Sequence, residues 1–151
     1  MERRGTNEGI MTNVDMEALN ILVIDDEAFI RTLIVRLLRD LGVKKIVEAG
    51  DGAEGLKKVT SQTDLVICDL EMPNMDGFEF VRQLRALDSI PNPTLPVLIL
   101  SGHREEASVR GAINLGINGY LVKPVSKQAL EAKIYKAVTS PMIDPSLLPK
   151  S

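Results

Sequence analysis

Cysteine and long apolar stretches are both scarce in this chain. Cys68 is the single cysteine. One cysteine excludes an intramolecular disulfide framework and any metal site built on several cysteines, and it indicates a reducing, cytoplasmic compartment. No apolar stretch approaches the roughly 20 residues that a membrane-spanning helix needs. Residues 1–19 lack the apolar core of a secretory signal peptide. The sequence therefore predicts no membrane insertion and no export.

An excess of basic charge is also missing. The 151 residues carry 18 Lys and Arg against 21 Asp and Glu, which gives a formal net charge of −3. Nucleic acids and anionic membranes attract clustered basic side chains, so direct nucleic-acid binding is not expected. A chain of this length corresponds to one domain. We therefore expect no large output module beside it.

The distribution of residue types predicts one folded unit with two short extensions. Residues 1–18 are polar and show no periodicity, which indicates a flexible N-terminal extension. Residues 19–140 are predicted to form the folded domain. Residues 141–151 include three prolines and predict a short, loosely docked C-terminal tail.

The folded part alternates short apolar runs with segments of helical periodicity. Most of the runs are apolar at consecutive positions, which is typical of strands covered by helices on both faces. This alternation predicts an α/β fold, a doubly wound, five-stranded parallel sheet with five helices. For its strand order we adopt 2-1-3-4-5, the common doubly wound order of flavodoxin-like proteins. The runs are residues 21–24, 46–47, 65–68, 97–100 and 120–122, and the helical segments are residues 28–41, 51 onward, 77–87, 105–115 and 126 onward.

Several helix boundaries carry their own signals. Gly42 follows the first helical segment and predicts its end. Asp51 and Glu54 form a variant of the capping box, in which each side chain bonds a free backbone N–H at the start of the second helix. Ser126 is placed to cap the N-terminus of the fifth helix.

Polar side chains follow the apolar runs at the points where the strands end. Asp25 and Asp26 follow the first run, Asp69 the third, Ser101 the fourth and Lys123 the fifth. In the order 2-1-3-4-5 the first and third strands are neighbours about 4.8 Å apart, which brings the carboxylates together. Such a cluster is unfavourable unless it binds protons or a cation, and carboxylate oxygens suit Mg²⁺. With a lysine and a hydroxyl beside it, the cluster predicts a site where an aspartate accepts a phosphoryl group.

Four strings in succession resemble the receiver domain of two-component response regulators. They are IDDE (residues 24–27), DLVICDLEMPNMDG (64–77), LSG (100–102) and GYLVKP (119–124), and the resemblance covers residues 20–139. It implies a stand-alone, chemotaxis-regulator-like protein that is a signalling switch and not an enzyme. Such a protein takes its phosphoryl group from a sensor histidine kinase or a histidine phosphotransfer protein, and phosphorylation changes its binding to a downstream protein.

The resemblance also implies roles for individual residues. Asp69 would be the phosphoacceptor. Asp26 and Asp69 would ligate Mg²⁺ directly, and Asp25 would act through a water molecule. Glu71 would add its main-chain carbonyl as a metal ligand. Lys123 would pair with the acceptor and with its phosphoryl group.

A second set of residues is implied in switching. Ser101 and Tyr120 would be coupled switch residues that rearrange on phosphorylation. The peptide bond before Pro124 would be cis, as is usual only before proline. Glu71 and His103 occupy positions that tune the lifetime of the acyl phosphate in this family. The surface of the fourth helix, fifth strand and fifth helix would bind the downstream protein.

Other interpretations stay open at this point. The chain could be the receiver fragment of a larger regulator whose output domain has been removed. An aspartyl-phosphate phosphohydrolase would use similar chemistry, but such enzymes carry Asp-x-Asp, whereas Leu70 and Glu71 follow Asp69 here. A degenerate, phosphate-independent adaptor is disfavoured, because acids, hydroxyl and lysine are all present. Taken singly, Asp25 or Asp26 could merely cap a helix, and Asp69 could be a turn residue.

Overall fold

The computed structural model describes residues 14–86, 94–102 and 116–139 of the chain. Within these ranges five strands alternate with four helices, and a short 3-10 turn (Met16–Ala18) precedes the first strand. The strands are β1 (Asn20–Ile24), β2 (Lys45–Ala49), β3 (Leu65–Asp69), β4 (Val97–Ser101) and β5 (Gly119–Val122). The helices are α1 (Ala28–Asp40), α2 (Gly52–Lys58), α3 (Gly77–Ala86) and α4 (Lys127–Thr139).

The strand order is β2-β1-β3-β4-β5, and every neighbouring pair is parallel. The predicted doubly wound α/β fold is therefore confirmed. Ile24 lies beside Cys68 in the β1–β3 register, so the residues that follow them, Asp25 and Asp69, meet at one edge of the sheet. Ser101 lies beside the last residue of β5. The carboxyl ends of four strands thus converge on a single site.

Two apolar layers enclose the central strands. Successive side chains of a strand point to opposite faces, so the consecutive apolar runs supply both layers, as predicted. One layer packs β1, β3 and β4 against α1 and α4, through Ile21, Val23, Ile34, Leu38, Leu65, Ile67, Leu98, Leu100, Leu130 and Ile134. The other packs the same strands against α2 and α3, through Leu22, Ile24, Val66, Cys68, Val97, Ile99, Phe80, Val81 and Leu84.

Strand β2 differs from the central strands because it is the exposed edge of the sheet. Val47 is 36% exposed, and Lys45 and Glu48 are also exposed, while Ala49 is the one fully buried residue of the strand. Charged side chains on an edge strand oppose pairing with other chains. The short apolar run at residues 46–47 reflects this one-sided burial.

The helix boundaries follow the predicted signals closely. α1 ends at Asp40, one residue before the predicted end, and Gly42 adopts the positive φ of 103° that favours glycine after a helix. α3 ends at Ala86. The predicted fourth helix, residues 105–115, lies outside the described residues, as do residues 1–13 of the N-terminal extension and the C-terminal tail at 141–151.

The predicted caps are present, with one difference in detail. The Oδ1 of Asp51 accepts from the N–H of Glu54 at 2.8 Å. The Glu54 carboxylate reaches back to the N–H of Gly50 at 2.7 Å, one residue before the N-cap residue that a capping box uses. The Oγ of Ser126 accepts from the N–H of Ala129 at 3.1 Å. Both helices therefore begin where the sequence predicts.

Candidate functional site

Three carboxylates lie together at the carboxyl edge of the sheet. One ligand oxygen from each of Asp25, Asp26 and Asp69 lies within 4.8 Å of those of the other two. Asp25 is 1% exposed and Asp69 2% exposed, whereas Asp26 is open to solvent. The fold thus brings together the acids that the sequence predicted, with two of them buried and one at the mouth of the site.

Lys123 supplies the opposite charge from the end of β5. Its Nζ lies 2.6 Å from Oδ1 of Asp69 and 3.8 Å from Oδ2 of Asp25. The N–H of Lys123 donates to the carbonyl of Ser101 at 2.8 Å, which joins the ends of β4 and β5. The Lys123–Pro124 peptide bond is cis, the isomer that the family resemblance implies.

Burial dominates the electrostatics of the site. It raises the pKa of Asp69 to about 6, although the hydrogen bond with Lys123 acts in the opposite direction and the charge of Asp25 adds to the rise. Burial likewise raises the pKa of Asp25, against the hydrogen bond that the Glu27 N–H donates to its Oδ1 at 2.9 Å. For Lys123, burial lowers the pKa, but Asp69 and Asp25 outweigh it and the pKa is raised. One ammonium therefore faces two buried carboxylates.

A carboxylate oxygen of Asp25 that lacks a hydrogen bond within the described part of the chain shows that this cluster fits a cation. Among the described residues its buried Oδ2 makes no hydrogen bond, and Lys123 stands 3.8 Å away. A buried polar atom without a partner costs about 1–3 kcal/mol, and more when it is charged. The three ligand groups are all carboxylates, which are hard oxygen donors that favour Mg²⁺ or a similar ion over zinc or copper. The site is thus an aspartate cluster that could bind a metal.

Arg31 supports the acidic pair, and the sequence prediction missed it. Its Nη1 donates to the main-chain carbonyl of Asp25 at 2.5 Å, and its Nε donates to Oε1 of Glu48 on β2 at 3.0 Å. The guanidinium therefore ties the end of β1 to the neighbouring strand. The only sequence signal was an arginine in the first turns of α1, which could equally have been a solvated surface charge.

Glu71 also takes a position that the sequence did not reveal. The hydroxyl of Ser101, which is fully buried, donates to Oε2 of Glu71 at 2.6 Å. The resemblance assigned Glu71 a main-chain role, and a role in tuning, without indicating which group its carboxylate contacts. The structure shows that this side chain meets one of the two predicted switch residues.

The loop between β3 and α3 is folded tightly onto the acceptor strand. The N–H of Leu70 donates to the carbonyl of Leu100 at 2.8 Å, and the N–H of Gly77 donates to the carbonyl of Leu70 at 2.8 Å. A Cβ on Gly77 would stand 2.8 Å from the carbonyl oxygen of Asp69, so only glycine fits there. Asn74 turns the loop with a φ of 70°. The backbone around Asp69 is therefore closely fixed.

Of the two remaining predicted residues, Tyr120 and His103, the structure describes only Tyr120. Tyr120 is half-buried on β5, beside Ile99 in the strand register, and packs against the layer that holds α2 and α3. It lies on β5, three residues before Lys123, and β4 separates that strand from β3, which carries Asp69. His103 lies outside the described residues.

These features define a flavodoxin-like α/β domain with an acidic, lysine-containing site at the carboxyl edge of its sheet. The chain belongs to the response regulator receiver domain family, because the model of that family matches residues 21–135. Receivers of this type are signalling switches of two-component systems, with phosphorylation and Mg²⁺ binding typical of the family.

Relatives agree with this assignment. The chain is 37% identical over 119 residues to the chemotaxis protein CheY of Pseudomonas aeruginosa, which covers 78% of this chain and 94% of the relative. It is 34% identical over 119 residues to CheY-3 of Vibrio cholerae, with 78% and 90% covered. The solved structure of Vibrio cholerae CheY4 matches with a TM-score of 0.72 at 31% identity, covering 79% of this chain and 98% of that one.

Receiver domains interact with histidine kinases and with downstream targets. None of the helices in the described ranges is both long and apolar enough to cross a membrane.

Proposed function

We propose that Asp69 is the residue that accepts the phosphoryl group. The observation that carries this proposal is the 2.6 Å contact between Lys123 Nζ and Asp69 Oδ1 inside a cluster of three carboxylates. Asp69 ends a fully buried strand, and Gly77 holds the loop behind it. The acceptor carboxylate is thereby held in position, with the Lys123 ammonium group beside it.

We propose further that the metal is Mg²⁺ and that Asp26 and Asp69 ligate it directly. Asp25 would act through water, and Glu71 would contribute its main-chain carbonyl. When bound, Mg²⁺ supplies positive charge next to the transferring phosphoryl oxygens. The absence of a hydrogen bond to Oδ2 of Asp25 among the described residues and the exposure of Asp26 support a metal site that is accessible from solvent.

The chain's own groups account for the transfer. A carboxylate oxygen of Asp69 attacks the phosphorus, and the bond from phosphorus to the donor histidine nitrogen breaks as the acyl phosphate forms. Lys123 neutralises charge on the phosphoryl oxygens, and the Ser101 hydroxyl donates to one of them. Tyr120 would then rearrange together with Ser101. Glu71 and His103 would tune the lifetime of the acyl phosphate.

The phosphodonor is proposed to be a sensor histidine kinase or a histidine phosphotransfer protein that docks on α1. Phe29 is 73% exposed and Leu33 38% exposed. Leu33 lines an apolar groove together with Lys123 and Pro124, so a partner seated there would lie beside the lysine of the acceptor site. Phe29→Ala should slow transfer from the protein donor and leave labelling by acetyl phosphate unchanged. Equal slowing with both donors would contradict docking on α1.

The downstream protein is proposed to bind the surface of β5, α4 and the segment at residues 105–115, which lies outside the described residues. Tyr120 is half-buried in this surface, and Lys127, Gln128 and Glu131 of α4 are exposed. We also propose that residues 19–140 form the receiver and act in the cytoplasm. In this proposal residues 1–18 and 141–151 are extensions, and the protein turns over no separate substrate.

Labelling of the full chain tests the acceptor assignment. The protein is incubated with acetyl phosphate and Mg²⁺ and analysed by intact mass, because it contains no tryptophan to report by fluorescence. We expect one phosphoryl group on the wild type and none on Asp69→Asn, with Asp64→Asn as a folded control that still labels. An unlabelled wild type, beside a control receiver that labels, would sink the proposal and favour a phosphate-independent adaptor.

A further inference from the structure

The contact between Glu71 and Ser101 joins an exposed acid to a buried hydroxyl. Ser101 is fully buried at the end of β4, and its Oγ donates to Oε2 of Glu71 at 2.6 Å. This distance is typical of a charge-assisted hydrogen bond from a hydroxyl to a carboxylate, which is stronger than a neutral one. The carboxylate of Glu71 therefore fixes the direction of the Ser101 hydroxyl proton.

A hydroxyl has one proton to donate. While that proton points to Glu71, it cannot point to a phosphoryl oxygen on Asp69. A phosphoryl group also brings new negative charge near the Glu71 carboxylate, and like charges at short range repel. The Glu71–Ser101 contact and a Ser101–phosphoryl contact are thus mutually exclusive.

We propose that Glu71 is a positioning residue that competes internally with the phosphoryl group for the hydroxyl of Ser101. The contact stabilises the unphosphorylated form, and phosphorylation proceeds only as it breaks. This inference rests on the proposed roles of Asp69 and Ser101. It assigns the Glu71 carboxylate a defined partner and a defined direction of effect.

The surroundings of Glu71 allow its side chain to leave while its backbone stays in place. The neighbouring Leu70 N–H is bonded to the carbonyl of Leu100 at 2.8 Å, and the N–H of Gly77 to the carbonyl of Leu70 at 2.8 Å. Glu71 itself is exposed, so water can solvate its carboxylate once the contact with Ser101 breaks. The side chain can therefore rotate away from Ser101 while the acceptor loop keeps these backbone hydrogen bonds.

Binding of fluoroberyllate, which mimics a phosphoryl group on the aspartate, measures this competition. The affinity is determined by ¹⁹F NMR titration of the full chain at saturating Mg²⁺. We expect Glu71→Ala to bind about tenfold more tightly than the wild type, since a hydrogen bond to a charged group is lost only from the free form. Glu71→Gln should fall between the two, because its amide oxygen accepts a weaker, neutral hydrogen bond.

Glu27 offers a matched control for charge alone. It is exposed, its negative charge acts on Asp25 and Lys123, and its side chain makes no capping bond to α1. Glu27→Ala therefore removes one charge beside the site without touching Ser101. We expect a change of about twofold or less, as is usual for an exposed charge. If Glu71→Ala gained no more than Glu27→Ala, the competition would be refuted.

A double-mutant cycle identifies the hydroxyl as the shared group. In a Ser101→Ala background, Glu71→Ala should lose its effect, so that Ser101→Ala and the double variant bind fluoroberyllate equally. A tenfold gain that persists without the hydroxyl would overturn the inference. Failure of the wild type and every variant to bind fluoroberyllate would instead overturn the proposed function, and this inference with it. Wild-type binding without a gain in Glu71→Ala overturns the inference alone.

Discussion

The polar groups at the two ends of the parallel strands differ in how fully they are hydrogen-bonded. We call the side of the sheet where the strands begin the amino edge and the side where they end the carboxyl edge. At the amino edge, Asn118 is 9% exposed and its Oδ1 accepts from the N–H of Val97 at 3.0 Å. Nearby, Oδ2 of Asp64, which is exposed, accepts from the N–H of Asn20 at 2.8 Å. At the carboxyl edge, Asp25 keeps a buried oxygen without a hydrogen bond among the described residues. The polar groups at the amino edge therefore have hydrogen-bond partners within the protein, whereas the carboxyl edge holds a buried carboxylate oxygen that has none among the described residues.

Arg85 extends the contrast to a half-buried cation. Its guanidinium donates from Nη2 to the carbonyl of Gly116 at 2.7 Å and from Nε at 3.3 Å, and burial lowers its pKa to about 10. The group is thus tied to backbone at the amino end of β5. Lys123, just after the opposite end of the same strand, faces the carboxylates of Asp69 and Asp25. The polar side chains at the amino edge thus bond to the backbone, whereas those at the carboxyl edge are charged groups that face one another.

We expect the largest effect on this contrast from removing Lys123, which should slow phosphorylation. Lys123→Ala should slow labelling by acetyl phosphate about 100-fold, since removal of one preorganised charge-stabilising group from a site typically has this size of effect. The rate is measured by intact mass at saturating Mg²⁺. Lys127→Ala, an exposed lysine on α4, is the control and should label normally. An unimpaired Lys123→Ala would show that the carboxyl edge works without its cation.

The second effect concerns pH, in buffer without divalent cations. The pKa of Asp69 is raised from 3.8 to about 6, so the folded state binds this proton more tightly than the unfolded state does. The associated stability is fully present below about pH 4 and is lost as pH rises through about 6, with a total of about 2–3 kcal/mol. Urea unfolding from pH 4 to pH 7 should show this loss in the wild type relative to Asp69→Asn. Parallel curves for the two proteins would refute it.

The third effect belongs to the amino edge. Asn118→Ala leaves the buried N–H of Val97 without its partner and should lower the free energy of unfolding by about 1–3 kcal/mol. Urea denaturation measures this loss. The rate of labelling at Asp69 should stay unchanged below the unfolding transition, because the substitution is remote from the carboxyl edge. A slowed rate in the folded protein would show that the two edges are coupled.

The smallest expected effect probes the support of the acidic pair. Arg31→Ala removes the hydrogen bond to the Asp25 carbonyl and should weaken Mg²⁺ binding about tenfold, the lower end for groups that orient metal ligands. Isothermal titration calorimetry gives the affinity. Glu48→Ala breaks only the pair with Arg31 and should change it less. Equal losses in both variants would assign the effect to β2 rather than to Asp25.

Much of the fold was predictable because its signals are local. The consecutive apolar runs identified the central strands, since a strand covered on both faces must be apolar at every position. The caps at Asp51 and Ser126 marked helix starts through side chains that bond backbone only three residues away. The weakest strand signal was that of β2, because three of its five residues are exposed and its apolar run is therefore short.

The membership of the site was predictable for a related reason. In a parallel sheet of this kind the residues after the strands gather at one edge, so Asp25, Asp26, Asp69, Ser101 and Lys123 could be grouped from position alone. Their roles in catalysis and metal binding remain predictions for the experiments above. No local pattern indicates that Arg31 reaches the Asp25 carbonyl, because a long flexible side chain has many possible partners.

The amino-acid sequence by itself determined the order of strands and helices and the set of polar residues at the strand ends, because periodicity and caps act over a few neighbouring residues. The tertiary structure alone decided which acids are buried. Asp25 and Asp26 are adjacent in sequence, yet one is enclosed and the other exposed. It alone brought the Glu71 carboxylate to the hydroxyl of Ser101, thirty positions away. Such contacts depend on how separate strands pack, and on distances that no local pattern specifies.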